Sequence, residues 1–346
     1  MFCQNYPFAL SLARIYLCGP PTNDKVHKMP PYIETILYIF SLIGLGYLAV
    51  ATKYLKPEIG DGLTSFIYNV GVPLLLFKNI LMADFGGGEV LVIWAVYFSA
   101  GLIVWTSSHL VVQFVFGRDT RAGVVAGVTG AFSNCVLVGI PFITGVYGEE
   151  GVAILSKILT IHLPVMLAAT IIQFEWASRK DGAVETEINF TGVLKKFLKQ
   201  LLSNPLVLGI LAGFIVKMLA VSPPPLADRL IENISATVGP LALFAVGMAT
   251  RRYGISGQIP PALVLVTFKL MLMPAIVLGL SLIFGVPEFT TRVLVSIAAL
   301  PVGINSWVVA QQFGTGQRLA ATSITIGTAT ALLTTGLWLL ICDLIF

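Results

Sequence analysis

Charge is scarce in this sequence. Asp, Glu, Lys and Arg make up 11 % of the 346 residues, against about 25 % in an average soluble domain. Hydrophobic residues make up 56 %. That balance excludes an ordinary soluble core and predicts a chain that crosses a membrane several times. Histidine is rarer still, with three residues, and the four cysteines (Cys3, Cys18, Cys135, Cys342) are scattered. No cysteine pair has metal-ligand spacing and no disulfide framework is visible, so neither a metal nor another cofactor is expected. A phosphate-binding glycine loop is missing, which argues against ATP-driven pumping by this chain. No Ser/His/Asp or zinc-ligand constellation suggests an enzyme. The net charge of +4 sits in short clusters between apolar runs. There it sets topology and gives no sign of a nucleic-acid partner.

What the sequence does have is long apolar runs. A helix needs about 20 mainly apolar residues to cross a bilayer, and the short alternating strands of a membrane barrel are not seen. Ten segments can be drawn, at 32–51, 62–82, 90–116, 121–146, 151–174, 203–221, 231–250, 259–285, 291–312 and 319–344. The longest polar stretch, 175–199, divides them five and five. The expectation is an all-α polytopic membrane protein of ten transmembrane helices. Residues 1–31 form an N-terminal extension, disordered or interfacial. A first five-helix repeat covers 32–174, a cytoplasmic loop 175–202 and a second five-helix repeat 203–346.

Lys and Arg orient this core. Lys53 and Lys56 lie in the first connection, Arg118 and Arg121 in the third, Arg179, Lys180, Lys195, Lys196 and Lys199 in the fifth, and Arg251 and Arg252 in the seventh. The second and fourth connections carry Asp84, Glu89, Glu149 and Glu150 instead. By the positive-inside rule the odd connections are cytoplasmic, and both ends of the core face outward. An odd number of spans per half also turns the second half upside down relative to the first. This is the inverted repeat of many secondary transporters.

Two segments carry residues that helices in lipid do not need. "SNCVLVGIPFITGVYG" spans 133–148 and "AALPVGINSWVVAQQFG" spans 298–314, in the fourth segment of each half. Proline removes a backbone hydrogen bond and glycine weakens a helix. Unwinding is therefore expected at Gly139-Ile140-Pro141 and at Pro301-Val302-Gly303. If the two breaks cross, half-helix ends meet at one point, where free N–H groups attract anions. Ser133, Asn134, Asn305 and Ser306 would add neutral donors and acceptors.

Ionisable residues inside a membrane are functional candidates by default. Lys269 lies about ten residues into the eighth segment, too deep to reach the headgroups easily. It is expected near the crossing, holding a carboxylate or half-helix carbonyls. His109, His162 and Lys157 are candidates for a proton relay, and Lys78 reads as snorkelling to the surface. Asp and Glu are absent from the middle of the segments, with Glu34 and Asp343 at ends. That points away from cation exchange and towards an anionic or neutral cargo.

These motifs carry a family resemblance over about residues 32–344. "SNCVLVGIP" resembles the fourth-helix motif of the auxin efflux carrier family, which includes plant PIN-type auxin carriers and bacterial malonate- and malate-type permeases. "ALPVGINSWVVAQQFG" is similar to the ninth-helix motif, and "SFIYNVGVPLLLF" resembles the second helix. The resemblance implies two inverted five-helix repeats, with helices four and nine broken and crossing. It also implies a scaffold domain, a moving transport domain and a homodimer. Asn134, Pro141 and Pro301 match the family's functional positions. Ser306 stands where PIN-type carriers have a second proline, which points away from auxin and towards a bacterial-type member. The implied function is secondary transport of a small organic anion, a carboxylate or dicarboxylate, across the plasma (cell inner) membrane. Two alternatives stay open: a potential-driven uniporter of auxin-like or other organic acids, and a membrane receptor or regulatory subunit that transports nothing.

Overall fold

The computed structural model describes residues 31–82, 88–182, 190–255 and 257–346. The extension before residue 31 and the middle of the long polar connection lie outside the described residues. The elements among the described residues are helices. In chain order they are α1 (Pro31–Ala51), α2 (Pro57–Met82), α3 (Glu89–Val115), α4 (Thr120–Ala131), α5 (Cys135–Lys180), α6 (Phe190–Leu202), α7 (Pro205–Met218), α8 (Pro225–Tyr253), α9 (Ile259–Ile283), α10 (Glu288–Ala298), α11 (Asn305–Phe313) and α12 (Gln317–Ile345). Seven of them, α1, α2, α3, α5, α8, α9 and α12, are long and apolar enough to cross a membrane.

Polar side chains fix several starts. Asp119 caps α4 by accepting from Ala122 N at 2.8 Å, and Asn204 caps α7 by accepting from Leu206 N at 2.9 Å. Such caps satisfy N–H groups that a helix start leaves open. Within α5, Gly148 adopts φ 64°, ψ −157°, a conformation that glycine takes at little cost. It turns the chain between two arms, where the sequence places the fourth connection.

Three prolines do not break their helices. Wide π-turns at Ile67–Gly71, Cys135–Gly139 and Phe268–Leu272 stand just before Pro73, Pro141 and Pro274. A proline cannot donate to the carbonyl four residues back. Widening the preceding turn shifts the bonding pattern and absorbs the defect. At Pro274 the freed carbonyl is that of Leu270, and the Trp338 indole donates to it at 2.8 Å. The expected unwinding at Gly139-Ile140-Pro141 is thus corrected. The chain is helical there, and its break lies upstream at residues 132–134.

Glycines set the closest helix contacts. A Cβ on Gly247 would lie 1.9 Å from Ile43 O, and one on Gly46 2.0 Å from Phe244 O, so α1 and α8 touch backbone to backbone. A Cβ on Gly209 would lie 2.4 Å from Pro73 O, which joins α7 to α2 the same way. Small residues at such contacts replace the hydrophobic drive that lipid does not supply.

Contacts sort the connections onto two ends. At one end Arg252 pairs with Asp61. Asp181 accepts from the Thr120 and Arg121 amides at 3.0 and 2.9 Å, and Thr322 donates to Gly257 O. At the other end Lys78 pairs with Glu232, Thr290 donates to Glu89, Tyr147 donates to Arg292 O and Arg292 pairs with Asp343. The polar stretch 175–202 is not all loop. Helix α5 runs on to Lys180, and α6 is a basic amphipathic helix with Leu194, Leu198 and Leu202 exposed.

Candidate functional site

The interruptions at 132–134 and 299–304 meet. Ser133 and Val302 form an antiparallel backbone bridge. Asn134 N donates to Pro301 O at 2.9 Å, and Gly303 N donates to Phe132 O at 2.8 Å. Four half-helix ends converge there: the C-termini of α4 and α10 and the N-termini of α5 and α11. In lipid, free backbone groups must find partners inside the protein, and these two breaks supply partners to each other. Gly303 allows the approach, since a Cβ there would lie 3.1 Å from Phe132 O.

The polar side chains around the bridge are tied down. Asn134 accepts from Leu137 N at 3.3 Å and so caps α5. Ser306 Oγ donates to Gly303 O at 2.9 Å. Ser133 Oγ accepts from the Tyr97 hydroxyl at 3.0 Å, and the same hydroxyl lies 3.7 Å from Cys135 Sγ. Gly139 packs on Leu300, which a Cβ would meet at 2.8 Å. Lys269 is fully buried in the π-turn of α9 and donates to Ala298 O, at the C-terminal end of α10. A cation is favourable at that end of a helix. Lys269 thus touches one half-helix carbonyl, that of Ala298.

Two cavities open among these helices, the smaller of them at the crossing. A pocket of about 30 Å³ is lined by Ser133, Asn134, His162, Gly303 and Asn305, with Tyr68 and Leu206 among the facing residues. A larger cavity of about 700 Å³ lies between α1, α2, α5 and α8. Pro141 belongs to the wall of this larger cavity, with Gly239 and Pro240 of α8. Its lining also includes Lys78, Asn79, Glu149, Glu150, Glu232 and Ser235. Asn79 Nδ2 and Ser235 Oγ are buried without a hydrogen-bond partner.

The structure thus gathers Ser133, Asn134, Gly139, Pro301, Gly303, Asn305, Ser306 and Lys269 around one crossing, and His162 with them. It does not bring His109 or Lys157 there. His109 packs on Gly123 and Trp176 at the far end of α3. Lys157 stands 3.8 Å from Glu89 near the opposite end. Lys78, read as snorkelling, reaches that end and pairs with Glu232 at 3.1 Å. Sequence reasoning missed Tyr97 and the Lys78–Glu232 pair. Tyr97 sits in an apolar run with no Pro, Gly or Asn to mark it, and the pair joins residues 154 apart.

Seven long apolar helices among the described residues mark an integral membrane protein, and the family it matches makes it a transport protein and not an enzyme. A profile described as "Membrane transport protein" matches residues 31–339, so the chain belongs to that family, the one that contains the auxin efflux carriers. Among its relatives is a "Putative malonate transporter" of Rhizobium meliloti, 28 % identical over 327 residues, covering 88 % of this chain and 94 % of the relative. "Auxin efflux carrier component 8" of Arabidopsis thaliana is 22 % identical over 358 residues, covering 90 % and 97 %. An "Uncharacterized transporter" of Methanothermobacter thermautotrophicus is 21 % identical over 308 residues, covering 88 % and 96 %.

Proposed function

We propose that this protein is a secondary transporter that moves a small organic anion, a carboxylate or dicarboxylate, by alternating access at the α4/α5–α10/α11 crossing. One observation carries the reading. The chain breaks two membrane segments and pairs their backbones beside a pocket lined by Asn134 and Asn305, with no carboxylate among the described residues that line it. Half-helix N-termini and neutral amides suit an anion, and the buried Lys269 adds a donor at the neighbouring end of α10. The 700 Å³ cavity is the vestibule on the side of Glu149, Glu150 and Glu232, which the Lys/Arg pattern assigns to the outside.

The architecture proposed with it is ten membrane crossings in two inverted five-helix repeats, over 32–174 and 203–346, joined by a cytoplasmic connection. Here α4 with the first arm of α5, and α10 with α11, each make one interrupted crossing. Close contacts support the symmetry. The repeat operation exchanges the first helix with the sixth crossing and the second with the seventh. It therefore maps the α1–α8 contact onto the α7–α2 contact, and both are glycine-mediated. In this reading these helices are the scaffold, the crossing belongs to the moving part, and the protein is a homodimer of the plasma (cell inner) membrane.

The test is flux into proteoliposomes with a panel of malonate, malate and an auxin, with and without a proton gradient. Saturable uptake of one panel member that Asn134→Ala weakens supports the reading. Uptake set by membrane potential alone would make the protein a uniporter. Absence of flux for the whole panel, with folded protein in the membrane, would refute it.

A further inference from the structure

We propose that His162 binds a proton together with the cargo, so that the anion and the proton cross the membrane as a pair. This rests on the reading that the crossing is the cargo site. His162 is 3 % exposed, yet neither of its ring nitrogens has a hydrogen-bond partner. Buried polar groups are nearly always paired, so two orphaned nitrogens on one ring call for an explanation. The ring is held in place, edge-on to Phe132 at 4.7 Å and 5.8 Å from the Tyr97 ring. It lines the 30 Å³ pocket with Ser133, Asn134, Gly303 and Asn305. That space is wide enough to admit water.

The chemistry of the pocket favours a joint arrival. A neutral imidazole offers one donor and one acceptor, while an imidazolium offers two donors; a carboxylate only accepts. The titratable groups facing His162 are few. Tyr97 comes from α3, with its hydroxyl donating to Ser133. Cys135 comes from the first turn of α5 and Tyr68 from α2, both in the pocket lining. Lys269 of α9 acts on the ring electrostatically. Helices α7 and α11 contribute Leu206, Val207, Ile210 and Asn305, none of which titrates. An imidazolium alone here would face Lys269 with no anion between them, whereas a cargo carboxylate would balance it. In the step, the unprotonated ring nitrogen takes a proton from a hydronium ion on the entry side: one O–H bond breaks, an N–H bond forms and water is left behind. That N–H donates to the carboxylate. On the exit side the N–H bond breaks and an O–H bond forms as the proton returns to water, and the anion leaves with it.

The experiment uses the full chain in proteoliposomes with radiolabelled malonate as the probe and an enclosed pH-sensitive dye to follow protons. His162→Gln keeps a donor and an acceptor but cannot be protonated. Rates of wild type and variant are compared as a ratio at each pH, so that the ionisation of malonate itself cancels. The expected result is that wild type moves protons with malonate. Its rate advantage over His162→Gln should then rise by about tenfold or more from pH 8 to pH 6, and the variant should move malonate without a dye signal. A pH-independent ratio with an intact dye signal in the variant would overturn the proposal. So would loss of the proton signal in Lys269→Gln but not in His162→Gln. If His162→Gln does not fold, wild type alone decides, since malonate uptake without proton movement is incompatible with the proposal. If wild type moves no member of the anion panel, it is the transport reading that fails, and this one with it.

Discussion

Replacing Gly303 by alanine puts one methyl group into the crossing. The new Cβ would lie 3.0 Å from Phe132 Cδ1, 3.1 Å from Phe132 O and 3.2 Å from Ser133 O. The Phe132 ring can tilt away. The two carbonyls cannot move freely, because Phe132 O accepts from Gly303's own N–H at 2.8 Å. Relief requires the paired backbones to part by a few tenths of an ångström. Overpacking of this kind costs about 1–3 kcal/mol, and the stretched bridge forfeits part of a hydrogen bond that contributes roughly 1 kcal/mol. Gly279→Ala is the control. Gly279 lies inside α9 with nothing within 4 Å of its would-be Cβ, and alanine is favoured over glycine in a helix by about 1 kcal/mol. Thermal unfolding of the purified protein in detergent, read by intrinsic fluorescence, compares the two. Gly303→Ala should unfold at a lower temperature and lose flux, while Gly279→Ala should unfold at the wild-type temperature or above. A Gly303→Ala protein as stable and as active as wild type would refute the close crossing.

Asn134→Ala and Asn305→Ala should each weaken cargo binding while leaving the protein folded. Losing a hydrogen bond to a charged ligand costs roughly 1.5–3 kcal/mol, about 10- to 150-fold in Kd, which equilibrium binding of labelled malonate would read. Lys269→Gln should impair flux more than Lys157→Gln, since Lys269 touches Ala298 O at the crossing and Lys157 pairs with Glu89 near the helix ends; equal, near-normal flux in both would count against the assignment. Glu187→Cys and Thr315→Cys should both resist an impermeant thiol label applied to intact cells, as cytoplasmic positions must. Asp181 makes a pH prediction. Burial raises its carboxyl, but hydrogen bonds from Arg121 and Thr120 outweigh that and hold it below the usual range. A depressed carboxylate stabilises the fold above its unfolded value, and the gain is lost as pH falls through the folded value. Asp181→Asn should therefore unfold earlier than wild type at pH 7, with the difference closing in acid.

Much of the arrangement was readable because lipid leaves few reasons for polar or helix-breaking residues. Asn134, Pro301, Gly303 and Asn305 stood out against apolar runs, and the structure brings them together. The position of the first break was not readable from composition. Proline marks where a helix lacks a donor and says nothing of how the neighbouring turn responds. At Pro141 the response is the π-turn Cys135–Gly139, and the chain opens instead where Phe132 and Asn134 find partners on the other segment. Tyr97, Trp338 and the Lys78–Glu232 pair were hidden for a related reason: each acts on a group far along the chain, and no local pattern records it.

The pairing of the breaks also explains why the two motifs differ. Each break must satisfy its backbone groups without water. On the second segment, Pro301 supplies a carbonyl to Asn134 N and has no N–H of its own to leave unpaired. Two residues on, Gly303 supplies the N–H for Phe132 O and has no side chain to hold the backbones apart. The first segment needs neither device at the bridge. Its residues there, Phe132, Ser133 and Asn134, carry side chains that cover His162, accept from Tyr97 and cap α5. One segment thus brings a backbone able to approach closely, and the other brings the side chains. Neither break is satisfied alone, so the crossing forms only when both halves of the chain are in place.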